Sequence, residues 1–365
     1  MSARAHRDRV LHVRGRGLPD EGSAQWWIVD GTLSAEPVSR AETVFDGGWI
    51  LPGLVDAHCH VGIGADGPIE LAGAIGQAAA ERDVGALLLR DCGSPIDTRA
   101  LDEYDDLPRI IRAGRHLARP KRYSRGLPIE VEDEAQLPEA VSVQARRGDG
   151  WVKLVGDWID RSVGDLAPLW PEDVLKEAVG RAHELGARVA VHVFGEDALP
   201  GLIAAGVDSI EHGTGLTDDV IGTVAQAGIA VVPTLINIDN FPEFAAKGEA
   251  RFPAYAGHMR ALHATSRERV RRAWAAGVPI YVGTDAGGSL PHGLLRDEIR
   301  ALATAGIPQH DVIAQASWRA REWLGLPGLV EGAPADLVGY DADPRVDAST
   351  LYEPRRIVLR GTVIS

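Results

Sequence analysis

Six side chains that could hold or activate a metal ion fall at or just past the ends of apolar runs. They are His58 and His60 in PGLVDAHCHVG, Lys153 in GWVKLVG, His192 in GARVAVHV, His212 in VDSIEHG and Asp285 in VPIYVGTDAGG. On a strand, residues two apart share a face, so His58 and His60 point one way and Cys59 the other. Imidazole and carboxylate are the donors of hydrolytic metal sites. Taken singly, each residue also has a plain structural reading: a strand-end histidine can be a hydrogen-bonded core residue, and Asp285 can cap a turn. Glu211, next to His212, is expected on the opposite face in a structural role. Lys153 is harder to explain that way. A buried ammonium costs several kcal/mol unless it is paired or neutral. Of 38 basic residues only four are lysines, Lys121, Lys153, Lys176 and Lys247. In a chain that uses arginine almost wherever a cation will do, a lysine in an apolar strand points to chemistry that guanidinium cannot perform. A neutral amine can take up carbon dioxide as a carbamate, an anionic ligand with two oxygens that can bridge two metals.

These residues need elements to hold them. Apolar strands are expected at the opening run and at 86–93, 107–114, 150–156, 186–193, 207–213, 228–234 and 278–288. Between them lie punctuated helices. PEDVLKEAVGRAHELG opens on Pro171 with acids in its first turn and stops at Gly186. TDDVIGTVAQAG runs from an N-cap at Thr217 to Gly228, and SRERVRRAWAAG from Ser266 to Gly277. Near-continuous apolar strands alternating with helices imply a parallel sheet covered on both faces. About eight of them predict an α/β fold, a (β/α)8 TIM barrel over residues 51–329, with an open doubly wound sheet as the rival. Residues 1–50 and 330–365 carry short strand-like pieces and no helical pattern, and are expected to join in a small β-sandwich domain. In a barrel of this kind the strand C-termini carry the active site, which is where the six residues fall.

Composition narrows the function. The 365-residue chain is 45% hydrophobic with a formal net charge of −14, which argues against nucleic acid, whose phosphates need clustered cations. No apolar run approaches the ~18 residues of a membrane helix. The arginine-rich start, MSARAHRDRVLHVRGRG, has no apolar stretch after it to make a secretory signal. Two cysteines, Cys59 and Cys92, read as reduced thiols of a cytoplasmic protein. The expected partner is a small-molecule substrate, and a homo-oligomer stays open.

The order His-x-His, Lys, His, His, Asp resembles the amidohydrolase superfamily. The resemblance spans nearly the whole chain through LPGLVDAHCH, WVKL, RVAVHVFG, GVDSIEHG, VGTDAGG with PHG following, and EGAPADLV. It is nearest the Xaa-Pro dipeptidase, carboxypeptidase and imidazolonepropionase-like members. The resemblance implies a binuclear site for two divalent ions, zinc foremost. His58, His60 and Asp285 would hold one ion, His192 and His212 the other, and carbamylated Lys153 would bridge them. It further implies that Asp285 is the catalytic acid and base, taking a proton from a metal-activated water and returning it to the leaving group. The reaction class is hydrolysis of an amide, carbamate, urea or lactone.

Two loops depart from these relatives. Where they tend to have a Gly-rich GGHG stretch, this chain reads ARPKRYSRG, with His116 a few residues earlier. After WVKL it has VGDWID in place of a Gly-rich turn. Lys121, Arg122 and Tyr123 are therefore candidates to bind a substrate carboxylate, and Trp158 to wall a pocket. The plain alternatives are a solvated basic loop and rim packing. The aromatic-rich stretch 235–265 reads as a lid or as a helical insertion that packs in place. Two rival functions remain. A deaminase with one metal is disfavoured by Gly195, which stands where its glutamate would be. A non-catalytic barrel scaffold is disfavoured by the intact ligand set.

Overall fold

The computed structural model describes residues 9–365, so the first eight residues of the arginine-rich start lie outside the described residues. The apolar runs fold as short parallel strands. Leu54–Cys59, Ala86–Asp91 and Arg109–Arg112 form one sheet. Ile129–Glu130, Leu117–Ala118, Trp151–Val155, Arg188–Val193, Ser209–His212 and Ala230–Val232 form a second, in that order. Every residue of Leu54–Cys59, Ala86–Asp91 and Trp151–Val155 is buried. That is why these strands show no polar alternation.

The expected ring of eight strands is met only in part, because the hydrogen-bonded ladder is not closed. Between Arg112 and the strand at Trp151, a side chain replaces the ladder: the Arg112 amide donates to Asp149 Oδ2 at 3.1 Å, and the Asp149 amide donates to the Arg112 carbonyl at 2.8 Å. The last expected strand, 278–288, makes only isolated bridges, Val231 to Ile280 and Cys59 to Ala286. Pro279 lacks a donor there, and Asp285 turns into the left-handed region at φ 58°, so a regular strand cannot continue. The segment still spans the gap: the Ala57 amide donates to the Val282 carbonyl, and the Asp285 amide to the His58 carbonyl.

The helices follow their punctuation, with one correction. Glu172–Glu184 starts after Pro171 and stops before Gly186, and Asp218–Ala227 stops at Gly228. The helix expected to begin at Ser266 begins at Pro253 and runs to Ala275. Ser266 is buried in its interior and donates its hydroxyl to the His263 carbonyl at 2.9 Å, so a cap-type residue here closes a local bond and not a helix end. The stretch 235–265 is helical throughout most of its length, in Leu235–Ile238, Phe241–Gly248 and the first half of this long helix. Ile238, Phe241, Ala245, Ala256, Met259 and Leu262 bury against Leu166 and Phe194. It is a packed roof.

The chain ends join as expected. They share one seven-stranded sheet, and a sandwich of two facing sheets is not shown among the described residues. The 11-residue strand Glu42–Pro52 sits at its middle, parallel to Leu11–Gly17 and antiparallel to Leu337–Tyr340. One long strand with a partner on each edge gathers both ends into a single layer. It runs through Gly53 directly into Leu54–Cys59, and so anchors the segment that carries His58 and His60. No described helix is long and apolar enough to cross a membrane. Cys59 and Cys92 are both buried and free.

Candidate metal centre

Strand geometry accounts for His58 and His60, which leave Leu54–Cys59 on one face. It does not account for His212 and Asp285. Along Ser209–His212, alternation would send Glu211 and His212 to opposite sides, yet both face the centre. His212 has φ 68° and Asp285 φ 58°, and a non-glycine residue held in this region stores strain that its surroundings must support. At both positions the kink turns the side chain inward past the strand end.

The hydrogen bonds then fix which atoms are free. His58 Nδ1 lies 2.7 Å from Glu211 Oε2. Glu211 is fully buried and also receives Arg90 Nη2 at 2.8 and 2.9 Å and the Ser209 hydroxyl at 2.6 Å. Burial would raise its carboxyl, but the Arg90 charge, with the hydrogen bond from His58, outweighs this and holds it well below the usual carboxylate range. Glu211 is thus an ionised acceptor, and His58 Nδ1 must carry the proton. His60 Nδ1 lies 2.8 Å from the Gly93 carbonyl, which can only accept, so it too must donate. Burial, and next the charge of Lys153, push the His58 imidazole below its ordinary value. Neutral with Nδ1 protonated, it presents a lone pair on Nε2.

Those lone pairs converge. His58 Nε2 and His60 Nε2 are 3.3 Å apart, and Asp285 Oδ1 lies 3.2 Å from the first and 3.0 Å from the second. Burial would raise the Asp285 carboxyl, but the histidines against it, His58 foremost, hold it well below the usual range. Acceptors this close repel unless a cation lies between them. Ligand bonds of ~2.0–2.1 Å in a tetrahedron give edges of about 3.3 Å, so these separations fit a bound divalent ion.

A second set lies beside the first. Lys153 is fully buried and its Nζ has no hydrogen-bond partner. His192 is buried, and both its ring nitrogens lack partners. Its ring lies 4.7 Å from that of His212, whose Nδ1 is 2.7 Å from the Thr234 hydroxyl. Burial pushes His192 well below the ordinary histidine value and His212 down to about 3, and the Lys153 charge acts on both in the same direction. Neutral imidazole is the ligating form. Ligand atoms of His58, His212 and Asp285 also all lie within 4.8 Å of one another. The residues present therefore fit divalent metal: one set of converging lone pairs, and next to it an orphaned amine and an orphaned imidazole.

Of the residues marked for substrate, two reach this centre. The Tyr123 ring is 5.3 Å from His192 and 4.8 Å from Trp158, and Trp158 is 5.4 Å from His192. Arg122 has another task. It donates to Asp160 Oδ2 at 2.7 Å and to the Trp158 and Ala167 carbonyls at 3.0 and 2.9 Å, pinning the hairpin of Asp157–Asp160 and Asp165–Pro168. Lys121 is exposed, with only its amide engaged, on Glu130.

Four residues around the centre had no site role in the sequence reading. Glu211 was expected to face away; it orients His58. Asn237 donates to Asp285 Oδ2 at 2.6 Å from the roof helix Leu235–Ile238. His116 is fully buried with both nitrogens unpartnered, 5.0 Å from the His60 ring. Gly93 lies against it: a Cβ there would come within 2.8 Å of His116 Nδ1. The one signal available was the pairing Glu211–His212, two polar residues ending an apolar strand.

A model of the amidohydrolase family matches residues 49–363. The chain belongs to this family. As an amidohydrolase it is a hydrolase of C–N bonds, in a family that generally binds divalent metal. It is 64% identical over 351 residues to an uncharacterized protein of Mycobacterium tuberculosis, covering 96% of this chain and 95% of the relative. It is 28% identical over 248 residues to ochratoxinase of Aspergillus niger, covering 66% of this chain and 50% of that one. Among solved structures, a Xaa-Pro dipeptidase with bound methionine in its active site superposes with a TM-score of 0.82 at 23% identity, over 98% of this chain and 100% of the other. The Aspergillus niger ochratoxinase superposes at 0.78 with 18% identity, over 98% and 96%. These likenesses make the fold TIM-barrel-like α/β.

Proposed function

We propose that this amidohydrolase uses two divalent ions, zinc foremost, to hydrolyse an amide-type C–N bond or a related carbonyl bond of a small polar substrate. His58, His60 and Asp285 would hold one ion, and His192 and His212 the other. Lys153 would bridge them as a carbamate, its neutral amine adding to carbon dioxide and losing one proton. Bound there, the ions would bring the pKa of a water near neutrality and polarise the substrate carbonyl. Asp285 is held ionised, with Asn237 on one oxygen and the two histidines on the other. It can therefore take a proton from water and hand it to the leaving nitrogen. Tyr123, Trp158 and Phe194 surround His192 with rings and keep bulk water from the reacting atoms.

The observation that carries this reading is the fully buried Lys153 Nζ without a hydrogen-bond partner, beside a His192 whose ring nitrogens make no hydrogen bond and have only Asp157 Oδ1 at 4.0 Å. Protein purified without chelator should contain close to two divalent ions per chain by elemental analysis. Lys153→Ala should lose the second ion and the activity, the latter screened on dipeptides, N-acyl amino acids, carbamates, ureas and lactones. Full activity in Lys153→Arg would sink the carbamate, because guanidinium forms none.

A further inference from the structure

A cavity of about 600 Å³, which none of the six candidate metal residues lines, is bounded among others by Asp91, Ile96, Arg99, Arg115, Arg146 and Arg147. Its charge is unusual for a chain of net charge −14. Many arginines here pair with carboxylates, and at this cavity Arg99 and Arg112 do so, with Asp149 and Asp102. Three others do not. Arg115 donates only to the Leu127 and Pro128 carbonyls, at 3.2 and 3.3 Å, and its Nε is buried without a partner. Arg146 reaches a single carbonyl of its own helix, Ser142, at 3.4 Å. Arg147 makes no ion pair. Among the lining residues Asp91 is 1% exposed. Its Oδ1 accepts from the Gly93 amide at 2.8 Å, and its Oδ2 has no partner.

Asp91 and Arg115 line one cavity, carry opposite charges, and each keeps a buried polar atom without a hydrogen-bond partner. We propose that this cavity is a second binding site, for a small dicarboxylate that carries an ammonium group, an acidic α-amino acid or a close derivative. The carboxylates would meet Arg115, Arg146 and Arg147, the ammonium would meet Asp91 Oδ2, and the alkyl part would lie along Ile96. Guanidinium forks suit paired carboxylate oxygens, and the volume is that of an ordinary small-molecule site. Asp91 binds the Gly93 amide, and the Gly93 carbonyl holds His60, so an occupant here would press on a segment hydrogen-bonded to a proposed metal ligand.

The test is calorimetric titration of the purified protein with L-glutamate, with glutarate as the probe lacking the ammonium. The site predicts saturable one-to-one binding of L-glutamate and at least tenfold weaker binding of glutarate. The double variant Arg146→Ser/Arg147→Ser, whose side chains are exposed and leave the core intact, should weaken L-glutamate at least tenfold, since each lost charged contact is worth about a factor of ten or more. Lys153→Ala should bind L-glutamate like the wild type, because the site does not depend on the metal centre. No saturable binding up to millimolar concentrations would overturn the proposal. So would binding that ignores the double variant and is lost in Lys153→Ala, which would place the ligand on the metals. Equal affinity for glutarate would overturn the role of Asp91.

Discussion

Glu211→Gln separates the two tasks of one buried carboxylate. Glu211 is the counter-charge of Arg90, which is fully buried between the Trp151 and Trp323 rings at 4.5 and 4.8 Å. It is also the acceptor that fixes the His58 tautomer. Arg90 Nη2 donates to both carboxylate oxygens, so either orientation of a glutamine places its amide NH2 against a guanidinium donor. Breaking a buried ion pair while leaving one charge costs ~3–5 kcal/mol. With an unfolding entropy of ~2.1 cal/mol/K per residue over 365 residues, or about 0.77 kcal/mol/K, this lowers Tm by roughly 4–6 °C. The second effect is on metal: loss of a carboxylate that orients a ligating histidine typically weakens affinity ~10- to 100-fold. Calorimetry and elemental analysis on the same preparation read both. Adding Arg90→Met should recover much of the stability, since no charge is then left unpaired, while metal affinity stays low because His58 Nδ1 faces a neutral amide oxygen in place of a carboxylate. A Glu211→Gln protein with unchanged Tm and full metal content would refute the reasoning. Recovery of both properties by Arg90→Met would show that Glu211 acts only as a counter-ion.

Two further outcomes are expected. His258 lies between Asp165 at 3.0 Å and Glu196 at 2.9 Å, tying the long roof helix to the hairpin and to the loop after Arg188–Val193; burial lowers its pKa, but the bonds to Glu196 and Asp165 win and raise it. A raised pKa means that this contact stabilises fully below the ordinary histidine value and is lost as pH rises through the folded value, so wild-type Tm should fall on that rise, and His258→Gln should flatten the fall. For Arg122→Ala, three hydrogen bonds to a half-buried guanidinium are removed, and stability should drop by ~2–3 kcal/mol; KM for carboxylated and neutral substrates of one scaffold should shift alike, and a selective loss on the carboxylated one would return Arg122 to substrate binding.

What the sequence determined by itself was chemical identity and order. His58-x-His60, Lys153, His192, His212 and Asp285 stand at strand ends because the strands are short apolar runs bounded by glycine and polar residues. A period of two also settles that His58 and His60 share a face. The scarcity of lysine singled out Lys153, and helix punctuation placed Glu172–Glu184 and Asp218–Ala227 to within a residue or two. Tertiary structure decided what period alone could not. His212 and Asp285 turn inward through left-handed backbone, a conformation that Asp and His tolerate but that no local pattern demands. Ser266 looked like a helix start and is interior, because aromatic and aliphatic burial against Phe194 extends the helix back to Pro253. Arg122 looked free for a substrate and is spent on carbonyls 36 and 45 residues away. Glu211 looked outward until Arg90, from a strand 121 residues earlier, supplied the charge that keeps it ionised at the centre. A local sequence window registers side-chain type and spacing. Backbone strain and long-range pairing are sustained only by contacts that form when the chain closes on itself, and those contacts fix which atoms of the six residues are left without a protein partner.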